Sequence, residues 1–397
     1  MKRIFLSLGL AFLVSLSAFS QPGAALRFDG QNDFVSLPPI LTGTNDFAIE
    51  FWMRNDTNLM TQQVFDFFSG PNYMRFTTNN GAGKPRFSIN NGSGEQFVEG
   101  TSQVFFAGWN HIAISLEGNN CSYYFNGVLE GVNNTMTTHP ASLGALTSSW
   151  LGRSDGVFDP YFKGSLDEFR IWNRPLCPTE INTNRNCEAQ SSSIGLIASY
   201  KFNQGIAGGG NGGVNQLSDS SPFSNTGTLI NFALIGQQSN WVAPGGVVSN
   251  NACAPIGVIM TYQDIDQDGY GSNSSTLLVS ALCGPLPGYS VLGGDCNDLN
   301  PSLHQASTPV TIQASAISAC YYTGIDLNIQ ENYTFDNLIW TGPNGFNTEF
   351  ATPNITMFDQ SSGYYYFTAS SGQCNAIDSI YLTAIATPDV NITADAS

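Results

Sequence analysis

The stretch Asp264-Ile265-Asp266-Gln267-Asp268-Gly269-Tyr270-Gly271 sets three alternate carboxylates directly ahead of a glycine. That spacing suits a hard cation. Residues one, three and five of a tight loop turn their oxygens inward, and the glycine permits the turn that brings the next carbonyl, that of Tyr270, onto the ion. Loops that complete their shell with a bidentate Glu place it at position twelve, which counted from Asp264 is Ser275. The missing charge must come from elsewhere, and Gly294-Asp295-Cys296-Asn297-Asp298 offers two carboxylates three residues apart. Asp264, Asp266, Asp268, Asp295 and Asp298, with the Tyr270 carbonyl, are therefore read as a calcium site. Calcium is preferred over magnesium because flexible all-oxygen loops suit the larger ion. The competing reading is a solvated acidic turn, since Asp and Gly favour turns for local hydrogen-bonding reasons. Three alternate Asp before Gly-Tyr-Gly weigh against it.

The segment from Asp264 to Pro301 resembles the MopE-type metal-binding motif of secreted bacterial proteins, which runs from alternate Asp through Gly-aromatic-Gly and a Cys to Gly-Asp-Cys-Asn-Asp. The family often continues with Pro-Gly-Ala, where this chain has Pro301-Ser302-Leu303.

The compartment follows from the first residues. Lys2 and Arg3, an apolar run from Ile4 to Leu16 and the small-residue end Ala18-Phe19-Ser20 read as a secretory leader over residues 1–20, too short in its apolar run to span a bilayer. No later segment approaches about twenty consecutive apolar residues, so a secreted or cell-surface protein without a membrane span is expected. Eight cysteines suit an oxidising setting. No pair has C-x-x-C spacing and there are three His, which argues against zinc. Cys283–Cys296 would tie the two halves of the Asp motif together for about 3 kcal/mol in the chain-entropy picture, and Cys320–Cys374 would staple the last domain. Cys121, Cys177, Cys187 and Cys253 are left unassigned. The net charge of -17, from 30 acids against 13 Lys plus Arg, repels nucleic acid and anionic lipid and concentrates cations. Only 11% of residues are charged, and 41 are Gly, the composition of a turn-rich extracellular β protein rather than a disordered acidic tail. At 397 residues two or three domains are expected.

The elements that must hold these groups are short strands. Phe47-Ala48-Ile49-Glu50-Phe51-Trp52 and His111-Ile112-Ala113-Ile114-Ser115-Leu116 alternate, and Tyr124-Phe125-Asn126-Gly127-Val128-Leu129 is a hairpin signal, because Asn-Gly supplies the positive φ angles of a tight primed turn. Helical periodicity is absent apart from a possible turn at Pro178 to Asn182. Many short alternating strands predict an all-β jelly roll or sandwich. Gly245 to Pro255 reads as a linker. From Thr308 the strand pattern returns for about eighty residues, with Trp340 twenty after Cys320, which predicts an Ig-like sandwich over 308–386. Asp359 to Tyr364 reads as the corner before a late strand. Thr308-Pro309-Val310 recurs loosely as Thr387-Pro388-Asp389-Val390, 79 residues on, so residues 387–397 are expected to begin a further repeat of a longer protein.

Leu26-Arg27-Phe28-Asp29-Gly30, Phe51-Trp52-Met53-Arg54, Gly108-Trp109-Asn110-His111, Tyr124-Phe125-Asn126-Gly127 and Gly164-Ser165-Leu166-Asp167-Glu168-Phe169-Arg170-Ile171-Trp172 occur in an order that resembles a laminin-G-like, concanavalin-A-like jelly roll, placed at 21–185. Tyr200-Lys201-Phe202, Asp219-Ser220-Ser221 and Gly227-Thr228-Leu229 resemble the opening of a second such module. Residues 186–250 are then either a hairpin appended to the first sandwich or a truncated copy. The later repeats resemble Ig-like or PKD-like repeats of bacterial surface proteins. The full fold reading is a concanavalin-A-like jelly roll, an Asp-rich metal-binding connector at 255–307 and an Ig-like β-sandwich. The resemblance also implies a structural calcium on the jelly-roll rim, with Asp29 and Asp167 as candidates; the alternative for Asp167 is a carboxylate satisfied by backbone N–H groups in a turn.

Glucanases of this superfamily carry E-x-D-x-x-E on one strand; no such strand occurs here, and Asp167-Glu168 would point to opposite faces of an ordinary strand. G-x-S-x-G and H-E-x-x-H are also missing, so an enzyme is not expected. A sugar site combines planar hydrogen-bonding groups with an aromatic platform. Trp150, Arg153, Asp155 and Tyr161 offer these close together, with core or loop packing as the alternative. The expected function is a calcium-binding adhesion-type protein whose partner is an extracellular glycan or a surface protein, with the accessory region of a larger secreted hydrolase as the alternative.

Overall fold

The computed structural model describes residues 23–387, apart from residues 42, 105–107, 249–250 and 306. The leader expected at 1–20 lies outside the described residues, as do residues 388–397 of the expected further repeat. The chain divides into two compact units, Met1–Ile256 and Gly257–Ser397.

The first unit contains β1 (Ala25–Asp29), β2 (Phe34–Leu37), β3 (Phe47–Asn55), β4 (Gln63–Ser69), β5 (Asn72–Thr77), β6 (Arg86–Asn91), β7 (Glu95–Glu99), β8 (Trp109–Glu117), β9 (Asn120–Phe125), β10 (Val128–Asn133), β11 (Ser148–Leu151), β12 (Lys163–Trp172), β13 (Leu196–Tyr200), β14 (Gln216–Leu217), β15 (Gly227–Ile230) and β16 (Asn240–Val242). They form two sheets, one ordered β10-β9-β8-β3-β12-β1-β16 with β13 also on β12, the other β14-β15-β2-β11-β4-β5-β6-β7. The alternation seen in the sequence explains the packing. Phe47, Ile49, Phe51 and Met53 of β3 enter the core, and β8 sets Ile114 beside Ile49 and Ile112 beside Phe51. Phe51 stacks on Phe169 at 5.3 Å and meets Phe76 edge-on at 5.5 Å. Each such ring stabilises the fold by roughly 1.5–3 kcal/mol relative to exposure. The Asn126-Gly127 turn joins β9 to β10 with positive φ at both residues, as primed hairpin turns require.

Strands after residue 185 join the same two sheets. β13 and β16 extend the first sheet, and β14–β15 extend the second through β2. Tyr200, Phe202, Leu217, Leu229 and Trp241 belong to the same core, so the strands between residues 196 and 242 help close the apolar surface of the first sandwich. The outer side of the first sheet is covered by α1 (Pro178–Asn184), entered on a proline, whose fixed φ suits the first helical position. Ile181 and Leu176 pack there against Ala48, Ala113 and Trp172. Beneath this segment Arg170 is buried, donating to Glu168 at 2.8 Å, Glu50 at 3.2 Å and the Asn184 carbonyl at 3.1 Å. A disulfide joins Cys187 to Cys253.

The second unit begins with β17 (Val258–Gln263), β18 (Tyr270–Ser280), β19 (Tyr289–Ser290) and β20 (Leu292–Asp295), in the order β19-β17-β18-β20. A two-sheet sandwich follows, from β21 (Ile312–Ala314), β22 (Ser318–Cys320), β23 (Gly324–Ile329), β24 (Asn337–Thr341), β25 (Asn347–Thr348), β26 (Asn354–Thr356), β27 (Gly363–Ser371) and β28 (Cys374–Ile385). Its sheets are β21-β23-β26 and β22-β28-β27-β24-β25, closed around Trp340 with Ile325, Leu327, Ile355, Tyr365, Phe367 and Leu382. Tyr365 donates its hydroxyl to the Ser361 carbonyl at 3.0 Å, fixing the corner before β27.

Both expected disulfides are corrected. Cys296 bonds Cys374, Cys283 is in a disulfide but not with Cys296, and Cys320 is an exposed free thiol. The cause is strand register. β22 pairs with the far end of β28, Cys320 opposite Ile385, eleven residues from Cys374 and so roughly 36 Å along the strand. The tip between β27 and β28 instead meets the segment after β20, where Gln373 N–H donates to the Cys296 carbonyl at 2.9 Å.

Candidate functional sites

β17 and β18 form a hairpin whose connection is the first Asp loop, and β20 lies parallel to β18, with Ser272 opposite Asp295. This arrangement brings the second acidic turn to the first. Each carboxylate uses one oxygen to fix backbone. Asp264 Oδ2 accepts from Gly269 N–H at 3.1 Å, Asp266 Oδ1 from Asp268 N–H at 3.3 Å and Asp268 Oδ1 from Tyr270 N–H at 2.8 Å. Asp295 Oδ1 accepts from Asn297 N–H at 2.8 Å, and Asp298 Oδ1 crosses to Ile265 N–H at 2.8 Å. Gly269 makes this winding possible with a φ of 95°, a conformation that L side chains rarely adopt.

The remaining oxygens carry the chemistry. Asp264 Oδ1, Asp266 Oδ2, Asp268 Oδ2 and Asp295 Oδ2 are buried and have no hydrogen-bond partner. Ligand oxygens of Asp264, Asp266 and Asp298 lie within 4.8 Å of one another, as do those of Asp266, Asp268 and Asp295. Orphaned buried carboxylate oxygens are costly unless something positive meets them. Burial pushes the Asp295 carboxyl up to about 6, helped by Asp268, Asp266 and Asp298, and pushes Asp266 up in the same direction. His304 stacks on Tyr270 with ring centroids 4.3 Å apart, and its Nδ1 lies 3.3 Å from Asp268 Oδ2 without hydrogen-bond geometry. These residues fit a metal ion. The five expected Asp ligands are gathered, and Tyr270 closes the loop, its N–H on Asp268.

Asp29 and Asp167 are not brought together. β1 and β12 pair with Asp29 opposite Lys163 and Leu26 opposite Leu166, which puts Asp167 level with Ala25, about 13 Å along the strand from Asp29. Asp167 Oδ2 accepts from Gly246 N–H at 2.8 Å and Val247 N–H at 3.1 Å, and Oδ1 from Glu168 N–H, so backbone donors in a turn satisfy it. The strand also departs from simple alternation here: a bulge with Glu168 at φ 49° shifts the register. Glu168 is thereby buried against Arg170, instead of standing on the face opposite Asp167 of a regular strand.

Of the expected sugar-binding residues, Trp150 and Arg153 meet. The Arg153 guanidinium lies 4.0 Å from the centre of the Trp150 ring, which touches Phe68 edge-on at 4.7 Å and Phe34 at 5.7 Å. Asp155 is exposed and donates its N–H to Asp66 Oδ2 at 3.0 Å. Tyr161 is half-buried, and no ring contact joins it to Trp150 among the described residues. The sheet adds residues that the sequence reading passed over. Trp150 is opposite Asp66, and Asp66 opposite Arg75, so Trp150, Asp66, Phe68, Tyr73 and Arg75 share the outer face, away from Phe65, Phe67, Met74 and Phe76 in the core. Arg75 lies 3.9 Å over the Tyr73 ring, and Tyr73 donates its hydroxyl to Glu95 at 2.6 Å. Burial pushes the Asp66 carboxyl up to about 7. The alternation of Val64 to Phe68 and of Asn72 to Phe76 was the available signal for this face.

Among the described residues no helix is long and apolar enough to cross a membrane. No curated protein matches the chain. Among solved structures, it is similar to a candidate carbohydrate binding protein from Bacteroides ovatus, at 18% identity and TM-score 0.41 over 57% of this chain and 62% of that one. Domain 4 of an extracellular arabinanase from Geobacillus stearothermophilus, solved with arabinotriose, is 22% identical, with a TM-score of 0.35 over 40% and 74%. Mouse laminin alpha1 domains LG4-5 are 13% identical, with a TM-score of 0.33 over 45% and 46%. The chain thus spans less than two thirds of the Bacteroides ovatus protein. Residues 29–182 match the concanavalin A-like lectin/glucanases superfamily. That match and the two antiparallel sheets around one aromatic core give this part of the chain the fold of a concanavalin A-like jelly roll.

Proposed function

We propose that the protein is a secreted or cell-surface, calcium-binding protein of adhesion type, without catalysis of its own, whose jelly-roll head recognises an extracellular glycan or a surface protein. The observation that carries this reading is the set of four buried carboxylate oxygens, converging from two turns, that have no hydrogen-bond partner. The sequence around them strengthens it. Residues 202–397 contain no Lys or Arg, and His304 is their one histidine, so that stretch carries almost no positive charge of its own. Calcium would supply that charge when bound; Asp264, Asp266, Asp268, Asp295 and Asp298 would hold it, with the Tyr270 carbonyl added. Closing the two turns in this way stiffens a connector too polar to hold a core of its own. Disulfides such as Cys187–Cys253 and Cys296–Cys374 suit export to an oxidising compartment. The Tyr365–Ser361 corner supports an Ig-like reading of the last sandwich.

The head's ligand surface is the outer face bearing Trp150, Arg153, Tyr73 and Arg75, where flat rings lie beside planar donors, the pairing that sugars use. That face also favours the second reading, an accessory carbohydrate-binding region of a larger secreted hydrolase. Thermal melting of the whole secreted chain with millimolar calcium and with chelator tests the connector; a transition of the second unit that ignores both rejects the calcium reading. A glycan array, repeated with Trp150→Ala and Arg75→Ala, tests the head. The reading frame downstream of the codon for Ser397 separates adhesin from hydrolase.

A further inference from the structure

We infer that the Asp cluster holds two divalent cations bridged by Asp266, not one; this rests on the calcium reading of the connector. The carboxylate oxygens fall into two groups of mutual neighbours, Asp264 with Asp266 and Asp298, and Asp266 with Asp268 and Asp295. Asp266 alone belongs to both. Each group contains its own carboxylate more than nine-tenths buried, Asp264 at 7% exposure in the first and Asp295 at 8% in the second. Each of those two presents an oxygen that no donor in the protein satisfies. A single ion would leave one of the groups with its orphaned oxygen at the rim of another group's shell; two ions meet both. Carboxylate-bridged metal pairs sit about 3.5–4 Å apart, a separation that two groups sharing one carboxylate permit.

Charge points the same way. Five carboxylates against one divalent ion leave three negative charges in a stretch without Lys or Arg, and two ions leave one, which faces His304. The two centres also have different mechanical roles. The first ties the hairpin loop to Asp298. The second ties it to Asp295, the residue before Cys296, whose disulfide to Cys374 and neighbouring Asn297–Ser371 hydrogen bond of 2.8 Å anchor it to the tip of the β27–β28 hairpin. The second ion therefore fastens the β17–β18 hairpin to the sandwich, and the first orders the loop.

Native mass spectrometry and calorimetry on the whole secreted chain with calcium chloride count the ions. Two ions are expected for the unaltered chain, one fewer for Asp264→Asn and for Asp295→Asn, and two fewer for Asp266→Asn. Manganese loaded in place of calcium should give an exchange-coupled paramagnetic resonance spectrum that Asp266→Asn abolishes. A single bound ion, or uncoupled manganese at saturation, overturns the pair while the calcium reading stands. No bound ion overturns both. Should Asp266→Asn fail to fold by circular dichroism, the ion count and the manganese spectrum of the unaltered chain still decide the matter.

Discussion

Removing the Cys296–Cys374 disulfide tests whether the second acidic turn is presented by the sandwich or by its own local structure. The bond joins residues 78 apart, and in the chain-entropy picture a loop of that length contributes about 4.5 kcal/mol at room temperature, with measured losses for native disulfides at about 2–5 kcal/mol. The hydrogen bonds from Gln373 N–H to the Cys296 carbonyl and from Asn297 to Ser371 do not involve the sulfurs and are expected to persist without the bond. A loss of about 3 kcal/mol in the second unit is therefore expected for Cys296→Ser with Cys374→Ser. The exposed Cys320 should be replaced by Ser in both variant and control so that it cannot rescue the bond. The same change frees Asp295 and Asp298 to sample more positions, which should weaken calcium binding about tenfold, equivalent to about 1.4 kcal/mol. Hydrogen exchange read on peptic peptides across β27 and β28 reports the stability, and calorimetry reports the affinity. Protection within about 0.5 kcal/mol of the control, together with unchanged calcium affinity, would refute the idea that the sandwich presents the turn.

Three further outcomes follow from the first unit. Arg170→Leu leaves Glu50 and Glu168 buried without their cation and should cost about 3–5 kcal/mol; adding Glu50→Gln and Glu168→Gln should restore most of it, and a single variant that melts normally contradicts the account. For pH, Asp66 is raised to about 7, and Asp33 and Glu168 to about 6, mainly by burial. Their folded values exceed the unfolded ones, so the stability they contribute is complete below about pH 4 and is lost as pH rises through 6 to 7. Glu50, held down near 2 by Arg170 and His111 against its burial, loses its contribution only in strong acid, and the depressed His111 acts below its ordinary value near 6.5. Melting of the first unit should accordingly fall from about pH 4.5 to 7 and level off above that, and Asp66→Asn should flatten the slope; a rise over this window contradicts the reasoning. Asp167→Ala strips acceptors from Gly246 and Val247 and should cost about 1–3 kcal/mol, whereas chelator should leave first-unit melting unchanged because Asp29 and Asp167 stand apart. A chelator-dependent shift there would restore the rim-calcium expectation.

What could be read without coordinates was what depends on neighbours in sequence. Alternate Asp before Gly269 determine a tight acidic loop that could hold a cation, because the carboxylates and the turn lie within six residues. Phe47 to Met53 determine a strand with one large apolar face because side chains alternate with period two, and Asn126-Gly127 determines a hairpin because its φ angles are a local preference; that the other face of the strand is buried as well was not legible there. The tertiary structure decided which distant pieces meet. The partner of Cys296, the separation of Asp29 from Asp167, and the union of Trp150 with Asp66 and Arg75 all follow from strand register, where slipping or choosing another neighbour leaves every local preference intact. The bulge at Glu168 and the use of residues 196–242 to finish the first core likewise answer to the apolar surface left open by strands far away in the chain. Composition and spacing specify that surface only in total, and the packing of the whole unit specifies where each part of it closes.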